Sequence, residues 1–525
     1  VGAAAPAAAA ATTGGVVRQA ALAPHDAPEG SPDPAAAAAA AATSIGEYGT
    51  VLAARRQSYG PNTSLSYERP IMFVRGAGTY LYDEQGVPYL DCVNNVSHLG
   101  HANAEVAAAV SAQLHTLNTN SRYLHPALPA YTAALLDTLN RPNRPNGCDV
   151  SGGSGGGGCG DGGGTAAAAG DLELLYLVCS GSEANDLALR IITANHQPPQ
   201  RPGGANGHHQ AHNQPPQPPL HVAVMAGAYH GHTSALLPLS PYKFWGPGGG
   251  GREPHVHVIP CPDPYRGENL DGRAAGLAVL AAARRAGGVL AGFFAESILS
   301  CGGQVVLPPG YLRDLYGVLQ PAGVCCVADE VQCGFGRCGA AFWGFHTQEG
   351  ALPASNGYPL AALATTRRLA AGFAAPGMEY FNTYGGSTAA VAAGAAVLRV
   401  LQRDRLQEHA ARVGEYLLAG MRRLQAAHPQ VVGDVRGMGL FLGLEVVTDS
   451  ASRRHAPVTA SEVLALELSE PVRQELLRRE AQHWAAVCAP RMALYRDNER
   501  QLYGSTSGGG GGAAAAPPPP PLSRL

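Results

Sequence analysis

An acidic residue that ends a buried apolar run is the feature of this chain that points most directly to chemistry. The run Gly323–Ala328 has the length and composition of a buried strand, and Asp329 follows it directly. A carboxylate in that position suits a bound cofactor that needs a permanent anion beside a ring nitrogen. The anion keeps the nitrogen protonated, so the ring can accept electrons from a substrate.

A second segment could hold the anionic part of such a cofactor. Cys179–Asp186 joins a predicted strand to a predicted helix through small residues. Backbone N–H groups at a helix N-terminus bind anions such as phosphate, and glycine lets the anion approach closely. The same segment also fits a capping box, with Ser180 or Ser182 as the N-cap residue. Taken alone, the segment leaves both interpretations open.

An aromatic ring and a second carboxylate follow two further predicted strands. Tyr229 and His230 lie in the sequence A-Y-H-G, where the tyrosine ring can stack on a flat cofactor. The sequence Y-H-G also occurs at the ends of ordinary strands that bind no cofactor. Glu296 ends the other strand, and a carboxylate at a strand's carboxyl end is directed toward the ligand crevice of an open α/β sheet.

In this order the segments resemble those of the class III aminotransferases. Residues 329–337 match the family signature D-E-V-Q-x-G-F-G-R, and the residues from Ser180 onward resemble its S-G-S/A-E-A phosphate cup. The resemblance runs from about Arg69 to about Val447 and weakens past Asp449. Four segments resemble the branch that contains the ethanolamine-phosphate and phosphohydroxylysine phospho-lyases: Asn94–His101, Asn118–His125, Ser300–Gln304 and Met378–Gly386.

The resemblance implies a fold-type I α/β architecture, with a mostly parallel central sheet and a smaller α+β domain made from both chain ends. It implies pyridoxal 5'-phosphate as the cofactor and a homodimer with the site at the subunit interface. No metal site is expected. The residues that match cofactor-binding positions of the family are Gly181, Ser182, Tyr229, His230, Glu296, Asp329, Gln332 and Thr383.

The resemblance also gives several of these residues a role. Asp329 would pair with the ring nitrogen, Gln332 would hydrogen-bond the ring's phenolic oxygen, and Tyr229 would cover the ring. Thr383 matches the residue that reaches the cofactor phosphate of the second subunit. The implied substrate is a small primary amine. It would undergo transamination, with alanine and glyoxylate or similar partners, or lose phosphate and ammonia as an amino-alcohol phosphate.

The lysine that binds the cofactor covalently in such enzymes is absent. Family members carry it in a segment resembling P-D-I-V-T-x-G-K-P-x-G-N-G, whereas here Leu352–Pro359 reads L-P-A-S-N-G-Y-P. The single lysine of the 525 residues is Lys243. It lies in S-P-Y-K-F, which the phospho-lyase branch has in similar form besides its catalytic lysine. Because the family's lysine is both nucleophile and base, its loss removes the covalent link and the proton shuttle together.

Three interpretations of this absence compete. The first is an enzyme whose sequence here lacks a segment because of a faulty gene model or a splice variant. The second is a noncatalytic homologue that still binds the cofactor or partner subunits. The third makes Lys243 a substitute nucleophile, although an ordinary structural or surface lysine accounts better for it. Intact motifs around Asp329 and Gln332 favour the first interpretation, since drift after loss of function would erode them.

Composition bears on partners and on location. A net charge of −3 gives no electrostatic footprint for nucleic acid or an anionic membrane, and no apolar run approaches the length of a membrane span. Eleven cysteines, an odd number without metal-ligand spacing, indicate free thiols in a reducing compartment. Residues 1–46 contain one arginine, which makes a targeting signal weak, so a cytoplasmic or a mitochondrial location remains open.

Alternating strand and helix signals carry these motifs. Strands are predicted at Leu174–Cys179, His221–Ala226, Leu290–Ala295 and Gly323–Ala328, with a helix at Glu183–Ala194. This alternation predicts a mostly parallel sheet with helices on both faces. Outside that region the sequence predicts a strand pair within Gly78–Asp91, helices at Thr388–Gln402 and Leu406–Ala427, and strands within Val432–Val447.

The domain organisation follows from the same signals and from low-complexity tracts. A small domain is expected from residues 47–110 and 391–503, with an atypical end. A large cofactor-binding domain is expected from residues 111–390, with insertions at 147–170 and 197–220. The terminal segments 1–46 and 504–525 are expected to be disordered, because their Ala, Pro and Gly content cannot build a core.

Overall fold

The computed structural model describes residues 48–65, 70–94, 97–140, 172–196, 218–348, 360–447 and 453. Several predicted features lie outside these residues, namely the terminal segments 1–46 and 504–525, the insertion 147–170 and the segment Leu352–Pro359. Most of the second insertion and nearly all of the region after Val447 also lie outside them. The chain divides into two compact units between Asp91 and Cys92. The domain limits expected from the sequence stay a prediction.

The described part of the first unit contains one helix and a small antiparallel sheet. Its elements are α1 (Tyr48–Ser58), β1 (Phe73–Ala77), β2 (Tyr80–Asp83) and β3 (Pro88–Leu90), and the strands pair in the order β1-β2-β3. The turn between β2 and β3 is fixed by Asp83, whose Oδ1 accepts hydrogen bonds from the N–H groups of Gln85 and Val87 at 3.0 and 2.8 Å. The predicted strand pair is confirmed.

The second unit is built around a parallel sheet with the strand order β10-β7-β5-β6. Beside it, β4 and β11 form an antiparallel pair, as do β8 with β9 and β12 with β13. The strands are β4 (Leu174–Val178), β5 (Leu220–Met225), β6 (Val256–Ile259), β7 (Val289–Glu296), β8 (Ile298–Leu299), β9 (Val305–Val306), β10 (Cys325–Asp329), β11 (Ala361–Thr365), β12 (Val432–Met438) and β13 (Phe441–Val446).

Helices connect these strands and follow them. They are α2 (Ala104–Thr116), α3 (Ala127–Asn140), α4 (Gly181–His196), α5 (Pro241–Phe244), α6 (Gly272–Arg285), α7 (Tyr311–Leu319), α8 (Arg367–Ala374), α9 (Thr388–Arg403) and α10 (Leu406–Ala427). Short 3-10 turns lie at Leu237–Leu239, Gln320–Ala322 and Gly344–Gln348.

The parallel sheet is buried on both faces. Alternate residues of β5 enter two separate apolar clusters, since Val222 and Val224 pack with α4 residues such as Ile191, while Ala223 and Met225 pack with residues of α6 and α7. Side chains of successive strand residues point to opposite faces, so helices cover both sides. The predicted sheet with helices on both faces is confirmed.

Element boundaries agree with the sequence-based prediction to within a few residues where an element was predicted. The strand at Ala361–Thr365 was not predicted, because its alanine-rich sequence has low strand propensity. All five of its residues are nevertheless buried, and it pairs antiparallel with β4. Tertiary pairing and burial therefore decide the conformation of this segment.

Candidate functional site

Two buried carboxylates stand side by side at the carboxyl ends of the parallel strands. Asp329 and Glu296 are register partners in the β10–β7 ladder and are the last residues of their strands. Their exposed fractions are 4% and 2%. The parallel register brings together two acids that lie 33 residues apart in the sequence, at the edge where open α/β sheets bind ligands.

Asp329 is held by three hydrogen bonds. Its Oδ2 accepts from Asn185 Nδ2 at 2.7 Å and contacts His230 Nδ1 at 3.0 Å, and its Oδ1 accepts from the N–H of Val331 at 3.0 Å. An ionised carboxylate only accepts, so this contact favours the tautomer of His230 that carries a proton on Nδ1. The carboxylate orientation is therefore fixed before any ligand binds.

Glu296 connects two segments of the site. Its Oε1 accepts from the N–H of Tyr229 at 3.0 Å, and its Oε2 accepts from the N–H of Ser300 at 3.0 Å and from the Ser300 hydroxyl. Burial raises the pKa of Glu296, and the Asp329 carboxylate acts in the same direction against the opposing influence of His230. Both Glu296 oxygens thus serve to hold the Tyr229 turn against the loop that begins at Ser300.

The first turn of α4 combines a helix cap with an open anion site. Ser180 Oγ accepts from the N–H of Glu183 at 3.2 Å, while Glu183 Oε2 accepts from the N–H of Cys179 at 2.7 Å. This reciprocal pair is a variant of the capping box considered from the sequence. The N–H groups of Gly181 and Ser182 lie in the first turn, where no carbonyl of the helix can accept from them. They are therefore suited to bind an anion.

The turn after Tyr229 packs closely against this helix terminus. Ser182 Oγ accepts from the N–H of His232 at 3.2 Å. Gly231 has φ +133°, and a Cβ there would lie 2.7 Å from Ser182 Oγ and 2.9 Å from Ser182 Cα. Only glycine fits this conformation and this distance. The predicted phosphate cup and the predicted aromatic turn therefore lie against one another.

The two remaining predicted site residues are Gln332 and Thr383. Gln332 is half-buried in the turn that follows β10, three residues after Asp329. Thr383 is exposed and follows Asn382, whose Nδ2 donates to Glu183 Oε2 at 2.9 Å. The loop that carries Thr383 is thus fastened to the start of α4 in the same chain.

Sequence reasoning missed several polar residues that shape the site. Asn185 is buried on the face of α4 that carries Ala184, Leu187 and Ala188, and its amide also donates to the His230 carbonyl at 3.0 Å. The sequence did contain a signal for this residue, namely a single amide side chain within an apolar helix face. A buried polar group needs a hydrogen-bond partner, so such an amide indicates a buried polar contact. Ser240 is a second example, since its Oγ accepts from the N–H of His230 at 3.0 Å.

Glu330, the neighbour of Asp329, has a supporting role that was also missed. Its Oε2 accepts from the N–H of Gly344 at 2.6 Å and its Oε1 from the N–H of Phe345 at 2.9 Å. Ser297 donates its hydroxyl to Oε1. Burial raises the pKa of Glu330 against these hydrogen bonds. The residue ties the end of β10 to residues 344–345 and to the end of β7.

Three further features concern the part of the chain that the structure describes. No helix among those residues is long and apolar enough to cross a membrane. No group of three or more His, Cys, Asp or Glu side chains within the described ranges is arranged to hold a metal ion. The eight cysteines that the structure describes are all free thiols.

Comparison with known proteins extends the resemblance seen in the sequence. Residues 63–467 match the family model described as aminotransferase class III. A Drosophila melanogaster protein named alanine–glyoxylate aminotransferase 2-like is 37% identical over 418 residues, covering 76% of this chain and 74% of that protein. A Caenorhabditis elegans ethanolamine-phosphate phospho-lyase homolog 1 is 32% identical over 432 residues, with coverage of 77% and 81%.

A solved structure and a further relative are also similar. An Arthrobacter phospholyase, solved in complex with phosphoethanolamine, has a TM-score of 0.62 and 31% identity, covering 81% of this chain and 90% of that chain. The human mitochondrial alanine–glyoxylate aminotransferase 2 is 30% identical over 449 residues, with coverage of 78% and 76%. The relatives therefore include proteins named for both chemistries and at least one named as mitochondrial.

Proposed function

Because the chain belongs to the class III aminotransferases, which are pyridoxal-phosphate-dependent, we propose that it binds pyridoxal 5'-phosphate and a small primary amine at the carboxyl end of β10. The observation that carries this proposal is the buried Asp329 carboxylate, fixed by Asn185 and His230. When bound, the cofactor supplies a protonated ring that accepts electrons from the substrate. The residues present fit that group.

Each part of the cofactor has a corresponding group in this chain. Asp329 would hold the ring nitrogen, and the first-turn N–H groups of Gly181 and Ser182 would hold the phosphate. Tyr229 would cover the ring, and Gln332 would donate to the phenolic oxygen. The His230 and Asn185 contacts hold the Asp329 carboxylate in one orientation, because both donate to the same oxygen.

For the substrate we favour an amino-alcohol phosphate, from which phosphate and ammonia are eliminated. Support comes from the Ser300–Gln304 loop, the phospho-lyase name of the C. elegans relative, and the phosphoethanolamine in the Arthrobacter structure. Transamination is the alternative, supported by the names of other relatives. A transaminase needs an α-keto acid acceptor, whereas a phospho-lyase needs a second anion pocket.

A chain with the lysine segment restored between Pro353 and Asn356 separates these reactions. We expect it to release inorganic phosphate from O-phosphoethanolamine without a keto-acid acceptor. Transfer of the amino group to pyruvate, without phosphate release, would reject the lyase assignment. The unaltered chain is the matched control, and its turnover should be lower by about a hundred- to ten-thousand-fold from loss of the base alone.

The second candidate is a noncatalytic homologue that binds the cofactor without turnover. It is favoured by the absence of any lysine other than Lys243. Adding the cofactor, reducing with borohydride and digesting the protein tests where a covalent link forms. We expect no label between Arg337 and Asn356. A pyridoxyl label on Lys243 together with turnover would instead make Lys243 the nucleophile. Sequencing the transcript across Pro353–Asn356 tests whether a lysine segment is encoded.

We also infer a homodimer in which Thr383 serves the cofactor phosphate of the neighbouring subunit. Thr383 is exposed, and it lies in a segment whose Glu379 pairs with Arg122 at 2.9 Å. Arg122 also covers the Phe381 ring at 3.9 Å. Large apolar side chains around this contact are exposed, namely Tyr123, Leu124, Met378 and Tyr384 at 66%, 105%, 72% and 71%. Exposed apolar groups in such a cluster are typical of protein interfaces.

Sedimentation at micromolar concentration tests the dimer. We expect the unaltered chain to sediment as a dimer and the variant Leu124→Glu to shift toward monomer, because a charge at an apolar interface lacks a partner. Leu277→Glu, at an exposed leucine of α6, is the control and should leave the dimer intact. Sedimentation of the unaltered chain as monomer alone would contradict the inference.

The eight free thiols support a reducing compartment, either cytoplasmic or mitochondrial.

A further inference from the structure

We propose that Lys243 binds the anionic group of the substrate, a phosphate monoester carried by a small primary amine. This proposal rests on the proposed function and names the side chain that would recognise the substrate. The Lys243 ammonium lies 5.6 Å from the ring centroid of Tyr229 and 5.4 Å from that of Tyr242. The chain's single lysine therefore stands beside the ring that would cover the cofactor.

The segment that carries Lys243 is anchored to the site by its backbone. The N–H of Tyr242 donates to the Ala228 carbonyl at 3.2 Å, and the N–H of Lys243 donates to the Ser240 carbonyl at 2.7 Å. The Tyr229 and Tyr242 rings meet edge to face, with centroids 6.2 Å apart. Tyr229 is itself held by Glu296. The two rings thus limit where the lysine stem can go, which reduces the entropy lost on binding.

A second observation puts the ammonium near the loop after Glu296. Desolvation and the Glu296 carboxylate raise the pKa of Cys301 to about 11, and the Lys243 ammonium acts in the opposite direction. Lys243 and Glu296 therefore both lie within electrostatic range of the Cys301 thiol. Cys301 directly follows Ser300, which is bonded to Glu296. Lys243 therefore lies beside the Tyr229 ring and within electrostatic range of this loop.

The chemistry of the site makes a cation useful at this point. Asp329 and Glu296 put two carboxylates at the strand ends, and a phosphate monoester that enters beside them meets like charge. An ammonium offsets that repulsion and offers three donors to phosphate oxygens. The ammonium lies over both rings, 5.6 and 5.4 Å from their centroids, and an attraction to ring faces leaves its N–H donors available for an anion.

The cofactor and the proposed substrate both carry a phosphate monoester, so the test must separate the two sources. Cofactor binding is measured by absorbance titration on the full chain. Binding of O-phosphoethanolamine and of ethanolamine is measured by calorimetry, on the chain saturated with cofactor. The variants are Lys243→Met, Lys243→Arg, and Arg367→Met as a control, because Arg367 is a cation with a 70% exposed side chain at the start of α8.

We expect the unaltered chain to bind O-phosphoethanolamine roughly ten- to hundredfold more tightly than ethanolamine, the size of one charge-assisted contact. Lys243→Met should remove that preference and leave cofactor affinity unchanged, Lys243→Arg should retain part of it, and Arg367→Met should retain it fully. An unchanged preference in Lys243→Met would overturn the assignment. So would a loss of cofactor affinity in Lys243→Met, which would assign the lysine to the cofactor phosphate.

The same measurements distinguish failure of the proposed function from failure of the lysine assignment alone. If the unaltered chain binds no cofactor, the proposed function fails first and the lysine assignment fails with it. If the unaltered chain binds the cofactor but shows no preference for the phosphorylated amine, only the lysine assignment fails. Binding of the cofactor with a preference that depends on Lys243 supports both.

Discussion

Asp329 and His230 are joined by a contact of 3.0 Å between Oδ2 and Nδ1, and their side chains are 4% and 0% exposed. Asn185 reaches the same Oδ2 at 2.7 Å. The carboxylate that would hold the cofactor ring is therefore oriented by residues from two other elements. A carboxylate that is held in this way needs no rearrangement when a ligand binds, which lowers the entropic cost of binding.

Replacing this carboxylate should weaken cofactor binding more than it changes the fold. Asp329→Asn keeps the shape and an oxygen that can accept from His230, but it removes the anion. We expect the dissociation constant for pyridoxal 5'-phosphate to rise by about tenfold or more, since hydrogen bonds to charged groups contribute about 1.5–3 kcal/mol. Absorbance titration measures it, and Asp404→Asn at an exposed carboxylate is the control. Equal affinities in Asp329→Asn and the unaltered chain would rule out the assigned role.

A methyl group at position 231 should disturb the contact between the Tyr229 turn and α4. Gly231→Ala would put a Cβ 2.7 Å from Ser182 Oγ in a backbone conformation that L residues rarely adopt. We expect a loss of at least about 1–3 kcal/mol of unfolding free energy from the backbone alone, together with weaker cofactor binding. Urea denaturation and cofactor titration measure the two effects.

The control for this prediction is Gly248→Ala. Gly248 also has a positive φ, +76°, but a Cβ there meets no atom within 4 Å. It should therefore show the backbone cost without the steric contact and leave cofactor affinity unchanged. Identical behaviour of the two variants would mean that the close approach to Ser182 has no consequence.

Removing Arg436 should destabilise the contact between the β12–β13 hairpin and the loop after Glu296. Arg436 Nε donates to the Gly303 carbonyl at 2.8 Å, and its guanidinium pairs with Asp434 at 2.8 Å and Glu445 at 2.7 Å. Glu445 is buried and keeps Arg266 as its other partner, so Arg436→Met leaves it with less compensation but not unpaired. We expect a loss of about 1.5–3 kcal/mol of unfolding free energy, the size of hydrogen bonds to charged groups.

Chemical denaturation checks this value, and Arg403→Met provides the comparison. Arg403 pairs with Glu105 and Asp404, but its side chain is 51% exposed. Exposed ion pairs contribute little to stability because water and salt screen them, so this variant should lose little. A similar loss in both variants would contradict the view that burial sets the cost.

A buried histidine pair should make the protein less stable in acid. His221 Nδ1 and His257 Nε2 lie 2.8 Å apart in neighbouring strands. Burial lowers the pKa of both rings, and it lowers that of His257 to about 4, with help from His221, Arg252, His255 and Arg285. The folded pKa lies below the ordinary 6.5, so the unfolded chain takes up protons first. Stability from this pair is present above pH 6.5 and is lost as the pH falls toward 4.

Urea midpoints measured between pH 7.5 and 4.5 test this dependence. His257→Gln cannot be protonated in this range, so the variant should lose less stability on acidification than the unaltered chain does. The exposed His115 supplies the control, since His115→Gln should leave the pH dependence as it is. An identical acid-induced loss in His257→Gln and the unaltered chain would show that other groups cause it. Carboxyl groups with a raised pKa, such as Glu330, have the opposite effect on the pH dependence of stability. They are present in all the variants compared, so they do not affect the comparison.

The sequence predicted the order of strands and helices and placed candidate site residues at the ends of several strands. Short apolar runs followed by Asp329, Glu296 and Tyr229 were readable because strand periodicity and motif spacing are local properties. The absence of the family's lysine was equally readable, because it is a fact of composition. The alanine-rich strand Ala361–Thr365 was not readable, since its conformation depends on pairing with β4.

Only the tertiary structure decided which polar groups meet. The partners of Asp329 lie 99 and 144 residues away in the sequence, at His230 and Asn185. Neither contact can be predicted from neighbouring residues in the sequence. Both contacts depend on the register of the parallel strands and on the position of α4 above them. The same holds for Lys243, which the sequence presents as an ordinary lysine. Its position beside the Tyr229 ring follows from how residues 228–244 fold back on themselves, which is a matter of packing and not of pattern.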